Sequence, residues 1–518
     1  MGKKSSFRWL SKLFWMNSKT KLLLIFFTAI FFTTILYDRS PGLNLLIAES
    51  FIIVILYFTK QYQFKENIQR ILVSGFILTS IFTIITHSIL SYLVNFLAFA
   101  LFIGIIIYPE ARSIITSARL SIYHAFAAQF IFISELTDSK LVGKTMSRIL
   151  YKLKIAAIPI VIIFIFIGMY RLSNHIFNDI IEKIIQFLND KFYIIFKNID
   201  IPLLITFFFF LFVSNYIFLR SRKENIILRD KNASDIILRR KLNTRRNFKL
   251  NSLKVEYKAA LFLLIILNLL LLIVNSIDIY WVWFNFEWNG QYLKEFVHAG
   301  TYLLLASILI SIFIVLHFYR RNINFLAKNN LLKYLSLIWL AQNAILTISV
   351  GIRNYHYVEY FALAYKRIAV FIFLGLTLYG LYTVIIKVLK KKSSFYVYRK
   401  NAMAVYIALV ISSGFNWDSI IAKYNFDHAG KSFLHLNFMA RLSFKTLPLQ
   451  DKSLEELNKI DSVQKAKFPF EKSYISPEFY HERIQLRKAH FKADWEKNDF
   501  LSWNLPEYLA YKELFIKE

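Results

Sequence analysis

The residues of this sequence that could do chemistry lie at the ends of apolar runs in its second half. Asp278 and His298 flank one predicted loop, and Arg353 and Arg367 flank another. A carboxylate near an imidazole can transfer protons, and arginines can hold a phosphate or a carboxylate. The candidate cluster comprises Asp278, Glu287, His298, Arg353, His356, Glu359 and Arg367. The pattern leaves open an anion or lipid-headgroup site, an acid–base pair, or ordinary anchoring beside an aromatic belt.

The common catalytic and cofactor motifs are missing from the sequence. It contains no Cys, which excludes disulfides, thiolate metal sites and cysteine nucleophiles. It has no phosphate-binding GxxxxGK[ST] or GxGxxG loop, no GxSxG elbow and no HExxH zinc motif. We therefore predict no catalytic, cofactor-binding or metal-binding residue, and the missing motifs disfavour an enzyme without deciding the question.

The elements that must position the candidate cluster are membrane spans. Hydrophobic residues make up 57% of the 518 residues and charged residues only 19%. A bilayer core needs about 20 apolar residues per helix. About eleven runs meet this requirement, the last only weakly: 21–37, 43–58, 71–88, 89–108, 155–170, 201–219, 259–277, 300–318, 334–352, 368–386 and 401–415.

The positive charges alternate with these runs. Seven basic residues fall in 109–154 and thirteen in 220–258, whereas 278–299 has one. The positive-inside rule then orients the chain with its N-terminal arm in the cytoplasm. The retention of basic loops on the cytoplasmic side explains the net charge of +31, so we predict no nucleic-acid partner. The predicted partners are the bilayer and anionic lipid at the basic loops.

One further apolar segment and one amphipathic segment are predicted to lie at the membrane surface. The first, near 112–135, cannot be a span without turning the most basic loop outward, so it is interpreted as a cytoplasmic interfacial or re-entrant helix. The second, 175–197, has a period of about 3.6 residues and is predicted on the outer surface or packed on neighbouring spans. Glu49, near the outer end of the second run, is interpreted as an interface carboxylate that reaches headgroups.

These observations divide the chain into five parts. They are a basic arm (1–20), an N-terminal membrane half (21–219, about six spans), a basic loop (220–258), a C-terminal membrane half (259–415, about five spans) and a polar tail (416–518). Within the tail, Glu455–Lys459 and 478–498 are predicted to be helical. The tail is predicted outside the cytoplasm, as a small domain or a surface arm.

Several stretches resemble a known family of bacterial membrane proteins. Residues 416–425, NWDSIIAKYN, resemble an N-x-D-x-x-I-A-x-Y-N signature, and 434–449 resemble an L-D-L-D-Y-L-x-x-L-S…P-x-L stretch. Residues 361–367 resemble Y-G-L-T-x-x-R, and 41–43 match an early P-G-L. The family is domain of unknown function 4173, with its sibling 4153. The family-like motif residues are Asn416, Asp418, Tyr424, Asn425 and Pro448.

The resemblance implies a polytopic membrane fold and no activity. This sequence departs from the pattern where Ala362 and Ala364 replace Gly and Thr, and where His435 replaces Asp. Physically, Asn416 and Asp418 can cap a short outer helix, with a turn at Asn425, so the motif is interpreted as an elbow from membrane to tail. A binding role is the alternative.

The sequence therefore predicts an all-α polytopic integral membrane protein with a small polar C-terminal helical tail. Its expected location is the bacterial cytoplasmic (inner) membrane. Three function classes remain open: a non-enzymatic envelope scaffold, assembly factor or sensory partner; a transporter or flippase, disfavoured by scarce buried charge and few Gly and Pro; and a transferase acting on a lipid-linked substrate at the outer face.

Overall fold

The computed structural model of the chain describes residues 18–58, 66–138, 159, 162–163, 166–196, 200–239, 248–287, 290–320, 322–327, 329–469, 471 and 475–516. Within these ranges the chain is helical, and its β-structure is a single bridge between Ile236 and Lys392. The predicted all-α class is confirmed.

The N-terminal half and the loop that follows it contain short and long helices. They are α1 (Ser18–Leu36), α2 (Leu43–Phe58), α3 (Asn67–Thr86), α4 (Ile89–Ile107), α5 (Ile114–Asp138), α6 (His175–Phe196), α7 (Ile201–Phe218) and α8 (Glu224–Lys231).

The C-terminal half is built from longer helices, and the tail from shorter ones. The membrane helices are α9 (Phe248–Asp278), continued by a π-helical turn (Ile279–Phe284), then α10 (Gly290–Phe318), α11 (Asn330–Phe361), α12 (Tyr365–Leu389) and α13 (Ser394–Ser413). The tail has α14 (Trp417–Asp427), α15 (Leu436–Met439), α16 (Leu447–Gln450), α17 (Leu454–Lys467), α18 (Pro477–Lys497) and α19 (Leu505–Phe515).

The apolar helices correspond closely to the predicted spans. Among the described residues, eight helices are long and apolar enough to cross a membrane, and a ninth span results if α13 and α14, bent by 65°, count as one. These nine match predicted runs. The predicted run 43–58 is a helix of 16 residues, about 24 Å long and short for a bilayer core of about 30 Å. Half of the predicted run 155–170 lies outside the described residues, and the described half (159, 162–163 and 166–170) is helical.

The helix ends gather at two opposite faces of the bundle. The turns at 37–42, 87–88, 362–364 and 414–416 form what we call the tail face, because the tail packs there. The loops at 108–113, 219–239, 319–329 and 390–393 form the basic face. Helices that a described turn joins, such as α1 and α2, α3 and α4, or α11 and α12, therefore run in opposite directions, as the charge pattern predicted.

Helix α13 joins the two membrane halves. Its early residue Val397 belongs to the core of the C-terminal half, together with Leu340. Its later residues Tyr406 and Val410 belong to the core of the N-terminal half. The Tyr406 hydroxyl lies against Gly75, where any Cβ would overlap it. Close packing of this kind needs a small residue, as at many membrane helix contacts.

Both predicted surface segments are helical. Helix α5 packs on α4, α7 and α13, and it is not among the helices that meet the length and apolarity of a span. Gly104 of α4 allows its close approach at Ser117. In α6 the apolar residues Ile176, Ile180 and Ile184 are exposed. That face is therefore not covered by the described part of the chain. An exposed apolar face of this kind favours a position of α6 at the membrane interface.

The tail folds as a helical unit with its own core. Tyr480, Ile484 and Phe491 lie on one face of α18 and pack with Leu457 and Ala510. This spacing is that of one side of an α-helix. The helices predicted at Glu455–Lys459 and 478–498 are confirmed by α17 and α18.

Candidate functional site

The predicted outer cluster separates into several local arrangements at the tail face. Asp278, at the end of α9, and Arg353, in α11, form a salt bridge in which each side chain is only 6% exposed. Removing one partner of such a pair would leave the other charge buried and uncompensated. This pair therefore holds α9 and α11 together.

Polar side chains continue from this pair along the contact between α9 and α11. The amide nitrogen of Asn275 donates to the carbonyl oxygen of Gln342 at 3.0 Å, and the Gln342 amide donates to Asn268 Oδ1 at 2.9 Å. Asn275 Oδ1, Asp278 Oδ2 and Gln342 Oε1 are buried without a hydrogen-bond partner among the described residues. The interior of the C-terminal half is therefore more polar than its sequence predicted.

His356 and Glu359 form a separate, more exposed pair. His356 Nδ1 lies 3.1 Å from Glu359 Oε2, and Phe286 stacks on the imidazole at 4.0 Å. Glu287 is exposed. His298 lies in α10, but its side chain is outside the described residues.

Arg367 closes the end of α11. Its guanidinium donates to the carbonyl oxygen of Phe361 at 2.6 Å and to that of Ala362, and it lies over the Tyr357 ring at 4.5 Å. Carbonyls at a helix C-terminus lack partners within the helix and attract cations. In the structure the Arg367 side chain thus binds backbone carbonyl oxygens and does not line an open site.

The backbone at Ala362 has a conformation that suits the glycine of the family pattern better than the alanine of this chain. Ala362 has φ 60° and ψ −169°, a region essentially reserved for glycine. Ala362→Gly is expected to raise the free energy of unfolding by about 1 kcal/mol, because glycine removes the clash of Cβ with the backbone. Thermal unfolding of the purified protein measures the gain. Ala364→Gly, at an extended position with φ −151°, is the control and should lower stability instead.

The first family-like signature forms the elbow that the sequence predicted. Asn416 caps α14, its side chain accepting a hydrogen bond from Ser419 N at 3.4 Å. Asp418 does not cap the helix. Its carboxylate accepts hydrogen bonds from Tyr365 and from Ser443, the latter at 2.6 Å, and lies 2.9 Å from Lys445 Nζ.

Asn425 does not form the predicted turn. It is buried within α14, and its side chain accepts from Leu363 N at 2.8 Å and donates to Leu363 O at 3.0 Å. It thereby fixes the extended strip at 362–364. Tyr424 stacks on His428, and Pro448 lies in the first turn of α16, where its missing N–H costs nothing.

Lys445 connects the tail to the N-terminal half, and the sequence analysis missed it. Its ammonium group donates to the carbonyl oxygens of Thr86 at 2.7 Å and His87 at 3.1 Å, at the C-terminus of α3. Its side chain is 1% exposed. Burial raises the pKa of Asp418, but the Lys445 charge and the hydrogen bonds from Ser443 and Tyr365 outweigh it and hold that pKa below its usual value. The available signal was a lone lysine in the apolar stretch 442–449.

His87 forms a second polar contact between tail and bundle. Its Nδ1 lies 2.6 Å from the Tyr92 hydroxyl and its Nε2 lies 3.5 Å from a Glu507 carboxylate oxygen. Burial lowers its pKa; Glu507 opposes the shift, and Lys445 adds to it. The docked tail therefore favours neutral His87.

Docking of the tail should weaken in acid. In the docked state the pKa of His87 lies below the ordinary 6.5, so the undocked state binds more protons as the pH falls. The contribution of His87 to docking is therefore complete above about pH 6.5 and is lost as the pH decreases. Thermal unfolding from about pH 7.5 to about pH 5.5 measures this effect. In His87→Gln, the decrease in thermal stability that comes from protonation of His87 should disappear. A pH profile identical to that of the wild type would contradict the role of His87.

Gly42, in the P-G-L stretch, allows the tail to approach α2. Leu43 N donates to Trp503 O at 3.0 Å, and a Cβ on Gly42 would lie 2.6 Å from the carbonyl oxygens of Ser502 and Trp503. Backbone cannot move aside as a flexible side chain can. Position 42 therefore requires a residue without a side chain, because the backbone at 502–503 leaves no space for one.

Gly42→Ala should displace the segment around Trp503. Since the chain has no native Cys, Ser502→Cys provides a single reporter in a position that is 2% exposed. We expect the alanine variant to raise its maleimide labelling rate about tenfold or more, as for loss of about 1.4 kcal/mol of local stability. Gly430→Ala, with open space around the added methyl, is the control. Equal labelling in both would contradict the proposed contact.

Glu49 does not face headgroups as interpreted from sequence. It is 6% exposed, and Asn95 Nδ2 donates to its Oε2 at 3.0 Å. Thr79 and Ser80 lie beside the same amide, at 3.5 and 3.4 Å. The three helices α2, α3 and α4 therefore share a buried polar contact, because a carboxyl group in an apolar interior needs hydrogen-bonding partners.

Comparison with known proteins gives one result. The sequence model of the family described as "Domain of unknown function (DUF4153)" matches residues 71–453. No curated protein and no solved structure matches. The matched range includes most membrane helices and the first third of the tail.

Proposed function

The chain belongs to the DUF4153 family, and from that premise we propose that it is a non-enzymatic membrane scaffold, an assembly factor or sensory partner that acts through its tail. The observation that carries the proposal is the use of polar groups at the tail face. Lys445 binds the end of α3, Asp418 accepts a hydrogen bond from Tyr365 at the start of α12, and Asn425 binds the backbone of Leu363. They hold one defined tail surface over both membrane halves.

We further propose that the protein lies in a bacterial cytoplasmic membrane with its tail outside. The gathering of basic loops at the face opposite the tail supports this orientation. Paired compartment reporters fused after residue 400 and after residue 518 test it. Activity of the inside reporter at the first site and the outside reporter at the second is expected. Both fusions active inside would overturn it.

The recognition surface should lie on the tail. Phe479 and Leu486 are seven residues apart on α18, so they share a face, and both are exposed. We expect Phe479→Ser with Leu486→Ser to abolish rescue of cells that lack the protein, at normal protein level. Leu454→Ser on α17, also exposed, is the matched control. Full rescue by the double variant would contradict the proposal.

A transporter is the second candidate, favoured by the buried polar contacts between α9 and α11. Asn275 and Gln342 lie within these helices with oxygens that lack described partners, which a water or ion path would satisfy. Asn275→Leu would then abolish rescue without changing protein level, whereas a scaffold would tolerate it. Loss of rescue in His356→Ala alone would instead favour the transferase class, since His356 is the more exposed acid–base candidate.

A further inference from the structure

A cavity of about 330 Å³ opens at the basic face, away from the tail. It is bounded by α5, the start and body of α8, and the first turn of α13. Its lining includes Arg119, Tyr123, Lys223, Arg229, Asp230 and Phe395. Its volume is in the range of small-molecule pockets and suits a headgroup.

The lining of the cavity carries net positive charge, with three basic side chains against one carboxylate. Arg119, Lys223 and Arg229 form no ion pair with a carboxylate among the described residues. Asp230 is already engaged: one oxygen accepts from Thr116 Oγ1 at 2.6 Å and the other from Arg112 N at 2.9 Å. Three cations, on α5, on α8 and in the loop that precedes α8, therefore line the cavity beside one carboxylate whose hydrogen-bond donors are neutral groups.

The walls of the cavity are held by separate contacts. Arg399 binds Asp235 at 2.6 Å, and Ile237 N donates to Lys391 O at 2.9 Å. Arg112 lies over the Phe395 ring at 5.2 Å. The loop that follows α8 is thus fixed to α13 by residues other than the three cations. Within the cavity, Lys223 Nζ also lies over the Tyr123 ring at 5.0 Å.

An apolar strip leads away from the cavity along α5. Ile122 is 65% exposed and Phe126 is 66% exposed. They follow Arg119 and Tyr123 at three-residue spacing, so all four lie on one side of the helix. A soluble anion would not contact such an apolar strip, whereas the acyl chains of a lipid would pack on it.

We propose that this cavity binds the phosphate headgroup of an anionic phospholipid, with the acyl chains along Ile122 and Phe126. Arg119, Lys223 and Arg229 supply the charge, and Tyr123 and Phe395 form the walls. The proposal is independent of the function assigned to the tail. Free phosphate shares the same chemistry, and the experiment separates the two sources.

The test measures binding of the full-length protein to phosphatidylglycerol in nanodiscs, against phosphatidylcholine as the neutral lipid. We expect Lys223→Gln with Arg229→Gln to lower phosphatidylglycerol affinity about tenfold or more, since each basic group near a membrane surface contributes about 1 kcal/mol. Lys231→Gln, an exposed basic residue of the same helix outside the cavity, should bind as the wild type does.

Two further measurements decide between the sources. Phe126→Ser should weaken binding of phosphatidylglycerol, and inorganic phosphate at millimolar concentration should not displace the lipid. Displacement by phosphate with no effect of Phe126→Ser would overturn the lipid assignment. Equal affinity of the wild type for both lipids, or equal losses in Lys231→Gln and the double variant, would overturn the site. Unchanged thermal unfolding in phosphatidylcholine confirms that each variant is folded.

Discussion

Lys445→Met is expected to release the tail from the N-terminal half and to lower the free energy of unfolding by about 3–5 kcal/mol. The substitution keeps the apolar stem but removes the ammonium group. Asp418, 13% exposed, then lacks its cation, and the carbonyl oxygens of Thr86 and His87 lose their donor. Maleimide labelling of Ser502→Cys and thermal unfolding measure release and stability separately.

Lys465→Met is the matched control for this prediction. Lys465 also pairs with an acid, Asp461, but its side chain is 74% exposed. Exposed pairs of this kind contribute about 0.3–0.5 kcal/mol, so this variant should keep normal labelling. If Lys445→Met were as stable as Lys465→Met, the buried contact would not hold the tail.

Arg353→Ala is expected to destabilise the C-terminal half by a similar 3–5 kcal/mol, because it leaves the Asp278 carboxylate buried without its cation. The amount of folded protein recovered from membranes and its thermal unfolding measure the loss. The double variant Arg353→Met with Asp278→Leu removes both charges. It should recover most of the stability, since apolar residues of similar volume replace buried pairs well.

The double variant also tests the candidate cluster. If the pair only joins α9 to α11, the folded double variant should still rescue cells that lack the protein. A stable double variant that fails to rescue would assign the pair to a site and contradict a purely structural role. Glu287→Gln, at an exposed position, is the control and should change neither stability nor rescue.

Much of the fold followed from local patterns in the sequence. The apolar runs located nine described spans, and the alternation of basic loops predicted which helix ends share a face. The apolar run near 112–135 located α5, the amphipathic period at 175–197 located α6, and the capping preference of Asn located the start of α14 at Asn416. Each of these depends on residues within about 20 positions of one another, the length of one span.

The candidate site was only partly predictable. Asp278 and Arg353 were singled out by type and position, and the structure brings them together. Glu49 and Asn425 were misassigned because their partners, Asn95 and Leu363, lie on other helices or segments. Lys445 was missed because its partners Thr86 and His87 lie 359 and 358 residues away, and a lone lysine in an apolar stretch does not identify them.

The sequence by itself thus determined the membrane class, the spans and their alternation, because apolar length and charge act locally against a bilayer of fixed thickness. Only the tertiary structure decided which polar groups meet. Asp278 and Arg353 are 75 residues apart, and Lys445 lies 359 residues from Thr86. A buried charge needs a partner. The packing of α9 on α11 supplies it for Asp278, and the packing of the tail on α3 supplies it for Lys445, whatever the spacing along the chain.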